Sequence, residues 1–261
     1  MLGVIPLEAE RAVSGTDVFE GLCESLGRAG RTIRDGDVLV VSTKYVSCSQ
    51  GRVVNLGRVR PSGAGVGMSK KYRLDPGMAE IISRESDAIL GGIGGFVITM
   101  SAGIMAPNAG IDGSNSGRGS AVLYPEDPYL AAEQLRRKIF LHMGVHAGVI
   151  LADSRLMPAR VGTSGVAVAC AGMEPVLDSR ARPDLDGRPL KVTFQATADN
   201  LASIANHEMG EAAESRPFAI VRDSGVVLTE RRLAPSETVV HPEQCVYVRG
   251  LGGRDSGRSR F

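Results

Sequence analysis

The chain has 261 residues and a mass of 27.4 kDa; 43% of its residues are hydrophobic and 23% are charged. This length suffices for one large domain, or two small ones, with a buried core. The 30 basic and 29 acidic residues leave a net charge of +1, which argues against a nucleic-acid module. No apolar run reaches the roughly 18 residues of a membrane span. We therefore expect a soluble protein, rich in loops because it has 33 glycines.

The cysteines indicate a reducing compartment. Cys23, Cys48, Cys170 and Cys245 are widely separated and include no Cys-x-x-Cys pair. Cys23 lies on a helical stripe and Cys170 in an apolar run, as is typical of reduced core thiols. No basic-then-apolar leader opens the sequence, so we expect a cytoplasmic protein.

Four helices are predicted. Apolar residues at helical spacing from Val18 to Leu26 predict the first, with Thr16 as its capping residue. An Asp at the cap followed by Pro at the first helical position predicts two more, at Asp75-Pro76 and Asp127-Pro128. A fourth helix is expected after Asp199.

Apolar runs between the helices predict strands. They are Val38–Val41, Phe96–Met100, Gly148–Ala152, Val166–Ala171, Leu190–Thr197 and Phe218–Val221. Helices and strands do not alternate strictly, which favours an α+β fold of mixed sheets with packed helices. Because nothing marks a linker, we predict a single domain over residues 1–250. Residues 251–261, rich in Gly, Arg and Ser, are predicted to be a disordered tail.

Several common catalytic motifs are missing from the sequence. It has no G-x-x-x-x-G-K-[ST] phosphate loop and no G-x-S-x-G nucleophile elbow, and the spacing of Gly63–Gly67 does not fit G-x-G-x-x-G. His142 and His146 are four residues apart, but Gly144 interrupts any helix that would present both to a metal. A helix end is the better interpretation of that segment.

Three acidic positions lie in predicted loops beside apolar strands. They are Asp112 within the segment Asn108–Asn115, Asp153 at the end of a strand, and Glu211 in a Gly-containing turn. Carboxylates in such loops suit Mg²⁺ or Mn²⁺ that bridges phosphate oxygens. Ordinary turn chemistry is the alternative for each, because Asp, Asn, Ser and Gly are the usual turn residues.

From about Val4 to Val221 the sequence resembles the coenzyme F-420-0:L-glutamate ligase (γ-glutamyl ligase) family. The resemblance rests on Ile5–Glu8, Gly36–Lys44, Asn108–Asn115, Leu123–Pro128, Asp184–Arg188 and Met209–Glu211. The octet N-A-G-I-D-x-S-N and its order relative to the other stretches are the specific part of this pattern.

The resemblance implies a nucleotide-driven amide synthesis. In this family GTP phosphorylates the carboxylate of a deazaflavin precursor, and the amine of L-glutamate then attacks the acyl phosphate. It implies Mg²⁺ or Mn²⁺, two ions per site, with K⁺ as a candidate additional ion. The implied fold is a non-P-loop α+β architecture that forms an intertwined homodimer. Small molecules are the implied partners, with no nucleic acid and no membrane.

Carried over residue by residue, the resemblance also implies a site. Asp112 and Asp153 would be catalytic and would bind metal together with Ser154 and Glu211. The residues implied to contact GTP are Ile5, Pro6, Leu7, Glu8, Thr43, Lys44, Cys48, Asn115, Met209, Gly210, Ala212, Ala213, Glu214, Ser215 and Arg216.

Departures from the family pattern cluster near this implied site. Cys48 and Gln50 replace a usual Lys and Glu, Leu156-Met157 replace Gly-Arg, and Asp186 replaces a Tyr. Three functions therefore stay open: a divergent F-420 γ-glutamyl ligase, a paralogue that joins an amino acid to another carboxylate, and a non-catalytic nucleotide- or metal-binding regulator. A thiol cannot replace the ammonium donor expected at position 48.

Overall fold

The computed structural model describes residues 1–101, 103–114, 117 and 119–252. The strands are β1 (Gly3–Leu7), β2 (Val38–Ser42), β3 (Val53–Asn55), β4 (Ala88–Ile93), β5 (Phe96–Ser101), β6 (Ile104–Pro107), β7 (Ser120–Val122), β8 (Gly148–Leu156), β9 (Thr163–Ala171), β10 (Leu177–Asp178), β11 (Phe194–Gln195) and β12 (Phe218–Arg222). The helices are α1 (Val18–Ala29), α2 (Thr43–Ser49), α3 (Gly63–Tyr72), α4 (Pro76–Glu85), α5 (Pro128–Met143), α6 (Thr197–Met209) and α7 (Val246–Gly252). This mixture confirms the α+β prediction.

A five-stranded sheet with the order β1-β12-β2-β8-β9 forms the centre of the fold. Its neighbours are antiparallel except β2 and β8, which run parallel with Ser42 opposite Ala152. The carboxyl ends of parallel strands meet at one edge of a sheet. Thr43 and Asp153, the next residues along each strand register, are therefore brought to that edge.

Both faces of the central sheet are covered, which explains the continuous apolar runs of its inner strands. In β2, Leu39 and Val41 belong to a core cluster shared with α1 and α5. Val38 and Val40 point the other way, into a cluster shared with α6. All four are fully buried. Alternation of side chains along the strand thus divides the core into two layers.

The helix starts follow the predicted capping rule, with one correction. Asp75 and Asp127 accept hydrogen bonds from the backbone amides of Met78 (3.0 Å) and Leu130 (2.9 Å). The prediction of Thr16 as the cap of α1 is wrong, because Asp17 accepts from the Phe19 amide at 2.8 Å. A carboxylate one residue nearer the helix reaches the free amides of the first turn directly.

Two predictions near residue 195 are corrected. The strand expected over Leu190–Thr197 is only Phe194–Gln195, paired with β10 over two residues. Its side chains are exposed, so no core holds a longer strand there. Helix α6 begins at Thr197, earlier than expected, and Asp199 lies in its first turn, where its carboxylate accepts from the Ala167 amide of β9 at 2.9 Å.

A three-stranded sheet, β4-β5-β6, precedes the octet Asn108–Asn115, which contains Asp112. β6 ends at Pro107, a 3-10 turn spans Asn108–Gly110, and Asp112 then pairs with Val122 through the backbone. α3, α4 and β7 pack beside this sheet around a third cluster of buried residues. The described part of the octet is therefore held by β6 before it and by the pairing of Asp112 with Val122.

The remaining sequence predictions concern the histidines and the cysteines. α5 ends at Met143 with Gly144 in the left-handed conformation, so the helix end predicted there is confirmed. All four cysteines are free; Cys48 and Cys170 are buried, whereas Cys23 is only partly buried. None of the described helices has the length and apolar character needed to cross a membrane. The predicted tail begins inside α7, and residues 253–261 lie outside the described range.

Candidate active site

A cavity of about 420 Å³ opens where β2 ends beside residues 152–154 of β8. The strand end predicted at Ala152 is wrong, because β8 runs on to Leu156 and Asp153 pairs with Val166 of β9. We refer to this cavity as the polar cavity; its predicted site residues are Lys44, Cys48, Asp112, Asp153, Ser154 and the segment 209–216. These residues come from four distant parts of the sequence. The fold thus brings together all three acidic positions that the sequence singled out.

Asp112 is held by its own loop and by a lysine. Its carboxylate accepts from the Ser114 amide (2.6 Å) and hydroxyl (2.7 Å) and forms an ion pair with Lys44. The Lys44 ammonium also donates to the Ser114 hydroxyl at 2.9 Å. Burial raises the pKa of Asp112, but the bonds from Lys44 and Ser114 outweigh it and the pKa lies below its usual value. Asp112 is therefore an anion at neutral pH.

Asp153 lies in a different environment, near the end of β8. Burial raises its pKa above the usual value, and the charge of Asp112 adds to this, while the Tyr124 hydroxyl bond and Lys44 oppose it. Burial and the adjacent Asp153 raise the pKa of Tyr124 well above 10, so the phenol stays protonated. Two nearby carboxylates with opposite pKa shifts mark a site that a cation would stabilise.

A glycine of the octet positions Tyr124. Gly110 has a left-handed backbone (φ +69°), and a Cβ there would overlap the Tyr124 ring. The Tyr124 carbonyl also accepts from the Arg52 side chain at 3.1 Å. The absent side chain at position 110 thus leaves room for the ring whose hydroxyl bonds Asp153.

The third carboxylate, Glu211, follows the end of α6. One of its oxygens accepts from Asn206 (2.8 Å) and Thr163 (3.1 Å). Gly210, with a positive φ of +82°, turns the chain here, and Glu214 accepts from the Ala212 amide at 2.8 Å. The segment 210–216 is therefore an ordered turn that forms one wall of the polar cavity.

The oxygen donors of Asp112, Asp153, Ser154 and Glu211 suit a hard cation such as Mg²⁺ or Mn²⁺. Among the residues that the structure describes, no three His, Cys, Asp or Glu side chains converge closely enough to hold a metal ion. Each carboxylate instead has a donor of its own: Lys44, Tyr124, or the Asn206–Thr163 pair. The donor set fits the ion by its chemistry, and the buried Asp153 provides a reason to bind it.

Comparison with known proteins decides the family. Residues 6–223 match the family model described as F420-0:Gamma-glutamyl ligase. The chain belongs to this family. It is 36% identical to coenzyme F420:L-glutamate ligase of Methanopyrus kandleri over 85% of this chain and 86% of that protein. The same enzyme name is carried by relatives from Methanothermobacter thermautotrophicus (34% identity, 80% of this chain, 83% of that one) and Haloarcula marismortui (36%, 80% and 82%).

Not every residue that the family pattern implies lies at the polar cavity. Ile5, Pro6 and Leu7 pair with β12 along β1 and are absent from the cavity lining, and Thr43 is buried. Glu8 lies at the rim, 3.9 Å from the Arg216 guanidinium. Asn115 lies outside the described residues.

Cys48 lines the polar cavity one helical turn after Lys44. Burial raises the pKa of its thiol, so it stays neutral, although Arg11 and Lys44 oppose this shift. The lysine that the family pattern predicts at this position would add a positive charge, and Cys48 adds none. Lys44 and Arg11 are the cations that line this side of the cavity.

Several residues of this site were not singled out from the sequence, among them Arg11, Asn206 and Tyr124. Arg11 lies in a loop after β1 and carries no local motif. Tyr124 lies within the family stretch Leu123–Pro128, but nothing in its spacing marked it as a partner of Asp153. Only the path of β7 beside the octet brings its ring over Gly110.

Proposed function

We propose that this protein forms an amide between L-glutamate and the carboxylate of the coenzyme F420 precursor, driven by GTP. The supporting observation is that one polar cavity collects Asp112, Asp153, Ser154, Glu211 and the ordered segment 209–216. Membership of the γ-glutamyl ligase family supports the same conclusion.

The proposed reaction has two steps. A carboxylate oxygen of the precursor attacks the γ-phosphorus of GTP, forming an acyl phosphate and releasing GDP. The glutamate amine then attacks the acyl carbon, the C–O bond to phosphate breaks, and inorganic phosphate leaves as the amine loses a proton. Activation is required because a carboxylate and an amine do not condense in water at neutral pH.

Mg²⁺ or Mn²⁺, when bound by Asp112, Asp153, Ser154 and Glu211, would neutralise charge on the phosphates and the attacking carboxylate. The protein's own contribution is positioning. Lys44 carries an ammonium within the cavity, where it would donate to an anionic substrate group while its pairing with Asp112 holds it in place. Backbone amides of the turn 210–216 offer further donors.

A second function in the same chemical class is favoured by specific residues. Leu156 and Met157 present exposed apolar side chains three and four residues beyond Asp153, where the family pattern predicts Gly-Arg. Such a change suits a different carboxylate acceptor joined to an amino acid by the same route. The homodimer, the number of metal ions, K⁺ and the cytoplasmic location stay predictions.

Mass spectrometry separates these functions. The protein is incubated with GTP, Mn²⁺ or Mg²⁺, L-glutamate and the unglutamylated precursor, and a mass increase of one or more glutamyl units supports the proposal. GTP hydrolysis that requires another acid and an amine, without this adduct, would favour the paralogue. Failure of GTP to bind or turn over with metal present leaves only the regulatory function.

A further inference from the structure

A second, larger cavity lies beside the polar one. It has a volume of about 770 Å³ and is lined mainly by apolar side chains of β4–β6, of residues 155–158 and of residues 238–248, which we call the C-terminal wall. This size is typical of small-molecule sites. None of the residues that the sequence singled out as metal- or nucleotide-binding lines this apolar cavity.

Two chain segments run directly from the apolar cavity to the polar one. β8 contributes Asp153 to the polar cavity and Arg155 to the apolar cavity, two residues later and on the same face of the strand, about 6.6 Å along it. β6 lines the apolar cavity up to Pro107, and Asp112 follows five residues on. The apolar cavity therefore adjoins the polar one along β8, two residues from Asp153.

The polar side chains that line the apolar cavity include Arg155, Asp199 and Thr238. The Asp199 carboxylate and the Thr238 hydroxyl already have hydrogen-bond partners, whereas Arg155 is a cation with a free donor. Its Nε is buried and has no hydrogen-bond partner, and no ion pair of Arg155 occurs among the described residues. The positive charge of Arg155 lowers the pKa of Tyr124 slightly against the effect of burial, so the guanidinium lies on the Tyr124 side of the boundary between the two cavities. A buried guanidinium donor without an acceptor is costly, and an anionic ligand group would satisfy it.

The C-terminal wall is fixed to the rest of the fold. Arg231 bridges Glu174 (2.6 Å) and Glu237 (2.7 Å), and Thr238 bonds the Tyr129 hydroxyl at 3.2 Å. Val239 packs onto the β5–β6 turn: a Cβ on Gly103 would lie 3.0 Å from it. This wall follows the family match, which ends at residue 223. Residues that follow the family match thus complete the apolar cavity.

We propose that the apolar cavity binds the non-reacting body of the acceptor, with Arg155 donating to an anionic group of that acceptor. The reacting carboxylate then points along β8 towards Asp153. This inference rests on the proposed ligase function and adds to it where the acceptor lies and which residue outside the family motifs selects it.

The test measures the KM of each substrate separately with the full-length protein. Arg155→Met, which keeps the length of the side chain and removes its charge, should raise the KM for the unglutamylated F420 precursor roughly ten- to hundredfold. The KM values for GTP and glutamate should stay within twofold. Arg155→Lys should recover part of the loss. Arg58→Met is the matched control, because Arg58 is exposed and lines neither cavity.

A cavity-filling variant tests the location independently. Met105→Trp on β6 should raise the KM for the precursor without raising that for GTP. An unchanged precursor KM in both Arg155→Met and Met105→Trp, with melting temperatures preserved, would overturn the inference while the ligase function stands. A change of oligomeric state in Met105→Trp with unchanged precursor KM would also overturn it, since a second copy of the chain would then cover this cavity.

Equilibrium dialysis of the precursor, followed by absorbance, separates this inference from the proposed function. If the wild-type protein makes no glutamyl adduct, the proposed function fails. The dialysis then decides the cavity on its own: weaker precursor binding to Arg155→Met than to Arg58→Met supports the site, and equal binding rejects it.

Discussion

The polar and apolar cavities share β8 but are built in different ways. Every lining residue of the polar cavity falls within the family match, and its main groups are carboxylates with donors already in place. One wall of the apolar cavity consists of residues 238–248, which follow that match. The buried Nε of Arg155 at this cavity has no hydrogen-bond partner. In the proposed function, residues within the family match therefore carry the chemistry, whereas the C-terminal wall contributes to binding the acceptor.

The largest effect is expected from the polar cavity. Asp112→Ala and Asp153→Ala should each lower kcat by about 10²–10³-fold or more, because each removes a proposed ligand of the metal ion that would neutralise the phosphates. Glu24→Ala, on the exposed face of α1, is the control and should leave kcat unchanged. Steady-state GTP turnover and glutamyl product are the readouts. Activity above about a tenth of wild type in either variant would contradict the assignment of that carboxylate.

A matched pair of glycine substitutions separates the two cavities. Gly110→Ala and Gly103→Ala place a Cβ on similar left-handed backbones (φ +69° and +79°), so both carry a similar backbone cost of about 1 kcal/mol. Gly110→Ala displaces the Tyr124 ring and should lower kcat about tenfold. Gly103→Ala pushes Val239 outward and should raise the KM for the acceptor about threefold. The same kinetic change in both variants would mean that the cavities do not act separately.

Cys48→Lys tests whether position 48 of the polar cavity faces the nucleotide. A lysine at this position should lower the KM for GTP about three- to tenfold, because its ammonium can extend from the buried stem into the cavity near the phosphates. Cys48→Met controls for the longer side chain without its charge. Isothermal titration of GTP with both variants gives the affinities, and unchanged affinity in Cys48→Lys would show that this position does not face the nucleotide.

The smallest expected effect is on the melting temperature, which should rise when Asp153 is replaced by Asn and fall when Asp112 is. The pKa of Asp153 is raised on folding, so its ionised form lowers stability above that pKa; Asp153→Asn should raise the melting temperature at pH 7 by about 2–4 °C. The pKa of Asp112 is lowered, so its carboxylate adds stability above the ordinary value of 3.8; Asp112→Asn should lower the melting temperature by about 1–2 °C.

The Asp153 difference should shrink as the pH falls through the raised pKa of that carboxyl, whereas the Asp112 difference should begin to shrink only below 3.8 and disappear below its lowered pKa. Differential scanning calorimetry at pH 7 and pH 3 checks this. Shifts of the same sign at pH 7 would contradict the contrast between a buried carboxylate and a paired one.

The sequence by itself determined the periodic elements and the three acidic positions. The runs in β2, β8 and β12, and the Asp-Pro starts of α4 and α5, follow from local preferences that tertiary contacts do not reverse. The octet pattern identified the family that the comparison confirms. The strand predicted over Leu190–Thr197 is wrong in its length, because a strand needs a paired neighbour and a core to pack on. The β-branched residues of this segment favour a strand but supply neither of these contacts.

Only the tertiary structure decided which residues share a cavity. The parallel pairing of β2 with β8 brings Lys44 close to Asp153, and the 3-10 turn after β6 carries Asp112 to the same edge. The bond between Tyr124 and Asp153, the unpartnered Arg155 and the C-terminal wall have no local signal, because each depends on contacts between distant parts of the chain. The sequence determines which side chains are available and which local structure they favour. The distances between side chains on different strands are fixed only when the whole core is packed.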